Sequence, residues 1–312
     1  MIEYVIYGKT IIDNIRLLDG TLARGVLGGG GPQAAFGARL WNDHVGFLTR
    51  YGADIPQDAL AMLNELDIDL TGNVRYADLP TLRGGLAYND AQHLIASTFE
   101  EMDSNLRQSV WDGMLSRAIP LPEEYRKARA IHLITEYWTE PMVRDALAMK
   151  AHGAIFSLEP LVGWGDWSRG EPLKEVLPHV DIVTPDFPAA SHLAGSDDPL
   201  TVIKYWSKLG SRAVAVRNAQ YGSYVWDCDH DEIWHIPIIP VHVVDPTGAG
   251  NSYGGGWCVG WTEKREARLA GCYGAVSASF LVERVGLSPM TPELRDEAQS
   301  RLEQALENVK RL

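Results

Sequence analysis

The chain is predicted to fold as an α/β protein, with a mostly parallel central sheet, helices on both faces and a small β-rich lid. Three observations lead there. Short apolar, β-branched runs alternate with amphipathic helical patterns along most of the 312 residues, the rhythm of a parallel sheet covered on both sides. Two stretches, around 11–26 and 75–96, break that rhythm with alternating patterns, Gly84-Gly85 and no good helix. One apolar run ends in Asp245-Pro246-Thr247-Gly248-Ala249-Gly250-Asn251-Ser252 before a Gly-rich helical pattern.

Along the chain, strand-like runs of β-branched or buried character fall at residues 4–7, 44–49, 130–135, 154–158, 182–184, 213–217, 223–226 and 241–244. Helical patterns fall at 32–41, 57–66, 140–152, 201–209, 251–261, 266–284 and 292–312. The expectation is one domain over residues 1–312, with the lid inserted as two pieces, roughly 11–26 and 75–96. No internal repeat, low-complexity tract or long charged linker interrupts it. Ligands of open α/β sheets bind beyond the carboxyl ends of the strands. Candidate site residues therefore sit where strands stop: Asp13, Gly28 to Gly31, Glu136, Glu159, Asp186, Arg217 and the stretch from Asp245 to Asn251.

The glycine turn carries the most information. A strand that breaks into Thr-Gly-Ala-Gly and re-enters a helix leaves backbone N–H groups at the positive end of that helix. Such a turn suits a phosphate, or the negative charge that develops as a phosphate is transferred. Its last residue is Asn251, whose amide cannot accept a proton as a carboxylate would.

Composition narrows the class. Hydrophobic residues make up 46% and charged residues 22%, ordinary for a globular protein in water. A net charge of −13 argues against nucleic acid or an anionic membrane as the main partner. Cys228, Cys258 and Cys272 are far apart without CxxC spacing. They read as reduced cytosolic thiols, not a disulfide frame or zinc site. No basic region followed by a long apolar core opens the chain, and no run is apolar enough to span a bilayer, so a cytoplasmic location is expected.

Several other signals read as structural. Asp227, Asp229 and Asp231 alternate as in a calcium loop, but Glu232 stands where that loop requires glycine. A turn between hairpin strands 223–226 and 233–236 is expected instead. Gly28 to Gly31 lack dinucleotide spacing, and Pro32 follows at once. His132 and His179 are isolated. Trp138, Trp164 and Trp167 follow strand ends, where an indole either stacks on a sugar or base or belongs to the core or a surface loop.

Six segments in order resemble the ribokinase-like carbohydrate kinases (the PfkB family), and the resemblance covers nearly the whole chain. DPTGAGN at 245–251 is close to the family's DTxGAGD signature. GGGGPQAAFGARLW at 28–41 looks like its N-terminal Gly-Gly motif and helix, and VGFLTRYGAD at 45–54 like its vGfiGxvGxD segment. LDIDLTG at 66–72 with PTLRGG at 80–85, VDIVTPDFPAASHLAG at 180–195 and VAVRNAQYGS at 214–223 complete the set.

The resemblance implies a ribokinase-like three-layer sandwich and an ATP-dependent phosphotransferase acting on a hydroxyl of a small sugar, polyol or nucleoside. Asp13 matches the acidic residue that binds substrate hydroxyls, with Gly29, Gly30 and Gln33 in the same pocket and Glu136 at a polar position near it. Gly248, Ala249 and Gly250 match the anion hole, while Asp186, Arg217, Gly222, Thr247 and Ala275 border ATP. Magnesium arrives with ATP, a monovalent cation is expected near Asp245, and lids of this type pair in homodimers.

The departures cluster on the chemistry. The family's catalytic base falls on Asn251, and its Asn-x-x-Glu motif on Asp186-Phe187-Pro188-Ala189. The Asn of the N-terminal helix falls on Pro32 or Gln33, the first Gly of Gly-x-x-Gly on Ala219, and Asp-Pro-Asn on Glu159-Pro160-Leu161. A general base contributes roughly 10²–10⁴-fold, but loose phosphoryl transfer depends mainly on positioning and charge stabilisation. Slow kinase activity with Asn251 positioning the nucleophile is one expectation. A base supplied by Asp13 or Asp186 is a second, and a catalytically impaired nucleotide- or sugar-binding protein a third. Asn251 as a plain helix N-cap fits the last of these.

Overall fold

The computed structural model describes residues 1–88, 94–98, 104–135, 140–161 and 170–312. Glu136, Trp138, Trp164 and Trp167, singled out above, lie outside the described residues.

The middle layer is a ten-stranded sheet. At its centre, β1 (Tyr4–Tyr7) pairs in parallel with β4 (Val45–Gly52) on one side and β8 (Ala130–Thr135) on the other. Beyond β4 lies β5 (Asn73–Tyr76), also parallel. Beyond β8 follow β9 (Ile155–Pro160), β10 (Ile182–Val183) and β11 (Ala213–Arg217), each parallel to its neighbour. The far edge turns antiparallel through β12 (Ser223–Asp227), β13 (Ile233–Ile236) and β14 (Lys310–Arg311). A second sheet has the order β3 (Leu22–Gly28), β2 (Ile11–Arg16), β6 (Arg83–Tyr88), β7 (Leu94–Thr98). Arg75 and Tyr76 belong to β5 at the edge of the large sheet, not to this second one.

The two-residue period of a strand divides the core cleanly. Tyr4 and Ile6 enter one apolar cluster, Val5 and Tyr7 the other. The same split separates Ala130 and Ile134 from Ile131 and Leu133, and Ala213 and Ala215 from Val214 and Val216. The first cluster is closed by α1 (Gly31–Arg39), α2 (Gln57–Glu65), α8 (Ala249–Lys264), α9 (Ala267–Val282) and α10 (Pro292–Asn308). The second is closed by α4 (Pro141–Ala151), α5 (Gly170–Val176), α6 (Phe187–Ala194) and α7 (Pro199–Trp206). Val110 and Met114 of α3 (Ser104–Leu115) join Ile11 and Leu82 in a small cluster beside the second sheet. Among the described residues no helix is long and apolar enough to cross a membrane.

Local chemistry explains where elements begin, and two expectations need correction. Pro32, Pro141, Pro199 and Pro292 all stand in the opening turn of their helices, where a missing N–H costs nothing. Asp198 caps α7 by accepting from the Thr201 N–H at 2.9 Å, so this helix starts before the apolar pattern at 201 does. The run 241–244 is not a strand. Pro237 and Pro240 interrupt the approach to it, and the Val244 and Asp245 N–H groups donate to Val282 O at the end of α9. The helix expected over 292–312 stops at Asn308, because Lys310 and Arg311 pair with the otherwise open edge of β13.

The α1 and α8 backbones approach closely because both helices carry glycine at the crossing. A β-carbon at Gly37 would collide with Ser252 O, and one at Gly255 with Ala34 O. Ala219, in contrast, holds φ 43°, a left-handed conformation that penalises any β-carbon. We expect Gly255→Ala to lower unfolding free energy by about 1–3 kcal/mol in denaturant titration, since backbone atoms would have to move. Ala219→Gly should be neutral or stabilising by up to about 1 kcal/mol in the same measurement.

Candidate active site

A cleft of about 980 Å³ lies along the carboxyl ends of the strands and beneath the second sheet. At its centre is the start of α8. Gly248 takes φ 78° and precedes the first helical residue, reversing the chain into the helix. Thr247 N–H donates to Asp245 Oδ1 at 2.9 Å and Ala249 N–H to Pro246 O at 3.2 Å, which locks the turn. The Ala249 amide is therefore used within the turn rather than offered to a ligand. Gly250 and Asn251 have no carbonyl one turn back within the helix to accept from their amides, and with Gly248 they line the cleft.

The glycines are required by what lies against them. A β-carbon at 248 would collide with Gln33 Cγ, and one at 250 with Arg217 Nη1. Arg217 thus lies over the turn with its guanidinium against the Gly250 backbone. Its Nη1 donates to Glu159 Oε1 at 2.9 Å, and Asn251 Nδ2 donates to the same oxygen at 2.9 Å. A β-carbon at Gly30, which has φ 83°, would sit 2.9 Å from Asn251 Nδ2. The glycine-rich loop before α1 and the start of α8 therefore meet across the Asn251 amide.

The period-2 pattern that sorts the core also orients the polar residues under α8. His132, Ser157, Glu159 and Arg217 share the strand face of Ala130, Ile155 and Ala215, the face that α8 covers. His132 Nδ1 lies 2.8 Å from Ser157 Oγ, and its Nε2 lies 3.7 Å from Glu159 Oε2. Gly254 makes room for this pair, since a β-carbon there would be 2.8 Å from both Glu159 Oε2 and His132 Nε2.

At the other end, Asp13 projects from β2 and is 4% exposed. Burial pushes its carboxyl up to about 7, opposed by the Gly29 N–H and reinforced by the Asp245 carboxylate. Burial likewise raises Asp245 against two bonds from Thr247. Glu159 goes the other way. Burial alone would raise it, but the Arg217 guanidinium and His132 together outweigh burial and hold the carboxyl below its usual range.

Of the residues expected from the sequence, the cleft brings together Asp13, Gly29, Gly30, Gln33, Asp186, Arg217, Gly222, Thr247, Gly248, Ala249, Gly250, Asn251 and Ala275. Glu136 lies outside the described residues, and Asp245 is buried behind the turn. Asp186 is exposed at the start of α6, while Ala189 is buried in that helix. Sequence reasoning passed over Lys9, Tyr88 and Trp111, which also line the cleft. Lys9 Nζ stands 4.5 Å from the Trp111 ring centroid. The strand-end rule could have found Lys9, two residues beyond β1, but nothing in the sequence joins Trp111 of α3 to it.

Buried polar atoms along this wall fit a polar, anionic ligand. Gln33 Oε1 and Arg217 Nε have no hydrogen-bond partner among the described residues, and such groups are ordinarily satisfied by something. The opposite wall is apolar, with Ile238, Ile239, Val241 and Val243 near Ala275 and Ala278. Among the described residues no group of three or more His, Cys, Asp or Glu side chains is placed to hold a metal ion. The turn after β12 is also explained without one. Asp227 accepts from the Asp229 and His230 N–H groups, Asp229 pairs with Arg212, and Asp231 accepts from Trp226 Nε1.

Comparison with known proteins agrees with this architecture. The cytidine kinase of Thermococcus kodakarensis is 26% identical over 265 residues, covering 85% of this chain and 90% of that protein. The solved nucleoside kinase of Methanocaldococcus jannaschii superposes with a TM-score of 0.67 at 20% identity, over 97% of this chain and 99% of that one. A ribokinase-type protein from E. coli, solved in complex with ATP and Mg2+, gives a TM-score of 0.70 at 19% identity over 97% and 100% of the two chains. Residues 1–294 match the pfkB family carbohydrate kinases from end to end of the cleft, and the chain belongs to that family.

Proposed function

We propose that the protein is an ATP-dependent phosphotransferase that acts on a hydroxyl of a small polar substrate, with nucleosides the leading class and sugars or polyols the neighbouring ones. One observation carries this reading: a single cleft joins a buried carboxylate, Asp13, to a cradle of backbone amides overlaid by Arg217. A relative that bears the name cytidine kinase and covers most of the chain supports the nucleoside class.

ATP, when bound, supplies the phosphoryl group and brings magnesium on its phosphates, which need few protein ligands. Asp13 accepts a hydrogen bond from a substrate hydroxyl, in the pocket bounded by Gly29, Gly30 and Gln33. The amides at 248, 250 and 251, with Arg217, offset the charge that spreads over the phosphoryl oxygens in a loose transition state. The apolar wall from Ile238 to Val243, with Gly222 and Ala275, suits a flat base, and Thr247 and Asp186 border its phosphate side. Asn251 holds the attacking hydroxyl in place without taking its proton, which leaves late in the transfer or through another group, Asp13 or Asp186.

A second reading follows from the same residue. Because Asn251 offers an amide and Ala189 is buried where a carboxylate is usual, the cleft also suits a protein that binds nucleotide without turnover.

Assays of ADP release with Mg-ATP and a panel of cytidine, other nucleosides, ribose and polyols separate the two. Turnover with one class, lowered about 10–100-fold in Asp13→Ala, is expected from the phosphotransferase. Thermal stabilisation by MgADP with no turnover on any panel member would favour the binding protein. Asp13 also leaves a signature in stability. A carboxyl raised to about 7 holds its proton more tightly folded than unfolded. Its contribution is therefore full below about pH 4 and is lost as pH rises through about 7, by at most on the order of 4 kcal/mol. The unfolding free energy measured from pH 4 to 8 should fall more steeply for the natural protein than for Asp13→Asn, and parallel curves would remove this assignment.

A further inference from the structure

The carboxylate that stands against the start of α8 comes from β9, not from position 251. Glu159 is 1% exposed, and its Oε1 accepts from Asn251 Nδ2 and Arg217 Nη1, each at 2.9 Å. Its Oε2 has no hydrogen-bond partner among the described residues. Among the described residues the ionisable groups that face it are Arg217 from β11 and His132 from β8, and α8 contributes the neutral Asn251. With Arg217 and His132 outweighing burial, the group is a carboxylate near neutral pH.

That state decides how Asn251 is used. An ionised carboxylate only accepts hydrogen bonds, so the Asn251 NH2 must face Glu159. Its Oδ1 is then the atom left to accept a hydrogen bond from a ligand hydroxyl. An aspartate at 251 would instead set a second carboxylate at the position of an amide that is now 2.9 Å from the first. Two carboxylates at such range do not both ionise readily, so the pair would retain a proton and the aspartate would not stand free to accept one.

We propose that Glu159 is a positioning residue that acts through Asn251. The acid and amide of this site are exchanged, the carboxylate standing at the end of β9 and the amide at the helix start, where Oδ1 holds the attacking hydroxyl. This inference rests on the phosphotransferase reading above. It assigns Asn251 a working partner, and it identifies Glu159 as the group that excludes a carboxylate from position 251.

The test is a double-mutant cycle of Glu159→Gln, Asn251→Asp and both together, assayed for kcat and KM with Mg-ATP and the nucleoside that the natural protein turns over. Thermal unfolding is followed alongside. Each single change is expected to lower kcat about 10–100-fold with KM for ATP within about threefold. The double variant, which restores one acid and one amide, is expected to recover to within about tenfold of the natural kcat. Asn251→Asp alone should unfold at lower temperature, and the double variant should regain the difference. Losses that multiply in the double variant overturn the pairing, as does Asn251→Asp alone matching or exceeding the natural rate. If Glu159→Gln does not fold, Asn251→Asp decides: a folded protein slowed tenfold or more supports the pair, and an undiminished rate sinks it. Absence of turnover in the natural protein with every panel member overturns the phosphotransferase reading and the hydroxyl role with it. Failure of recovery in an active background overturns the pair alone.

Discussion

The arrangement of this cleft depends on how closely the first two turns of α8 press onto the rest of the molecule. Four glycines permit it. Gly248 and Gly250 give way to Gln33 and Arg217, Gly254 to the Glu159–His132 pair, and Gly255 to the α1 backbone. Any β-carbon at these positions would lift the helix start away from the strand ends. Because it is not lifted, the opening amides, the Arg217 guanidinium and the Asn251 amide all meet within one wall of the cleft. A close helix crossing, ordinarily a matter of packing, here decides which charged and polar groups share one wall of the cleft.

That wall and the lid end of the cleft treat their carboxyl groups in opposite ways. Asp13 is buried with the Asp245 carboxylate nearby, and burial outweighs the Gly29 N–H, so its acid form is favoured relative to an exposed aspartate. Glu159 is buried as deeply, yet Arg217 and His132 keep it charged. One group is poised to exchange a proton near neutrality; the other is a fixed negative charge that anchors Arg217 and orients Asn251. Two environments thus give two chemical roles to similar side chains. The fixed charge also gives a physical reason for an amide, not a second carboxylate, at position 251.

Much of the framework was legible because it depends on local pattern. The runs 4–7, 130–135 and 213–217 are strands with those bounds, since each is a short β-branched stretch flanked by breaks. The glycine turn was legible for the same reason: Pro246 and three small residues punctuate the chain between two apolar stretches. The run 241–244 misled because Val241 and Val243 are apolar for a different purpose, lining the cleft rather than pairing in the sheet. The last residues misled because a charged helical pattern hides a two-residue edge strand.

The candidate site divides along the same line. The sequence by itself determined the α/β alternation, the breaks at strand ends and the presence of Asp13, Arg217 and an amide at 251, because periodicity and turn chemistry act over a few neighbouring residues. It also displayed Glu159 as a strand-end carboxylate. Only the tertiary structure decided that Glu159, Arg217 and Asn251 share one oxygen, and that Lys9 meets Trp111. Those meetings join residues 58 and 92 positions apart in the first case. They are set by strand order and by the depth to which α8 settles, neither of which local pattern encodes.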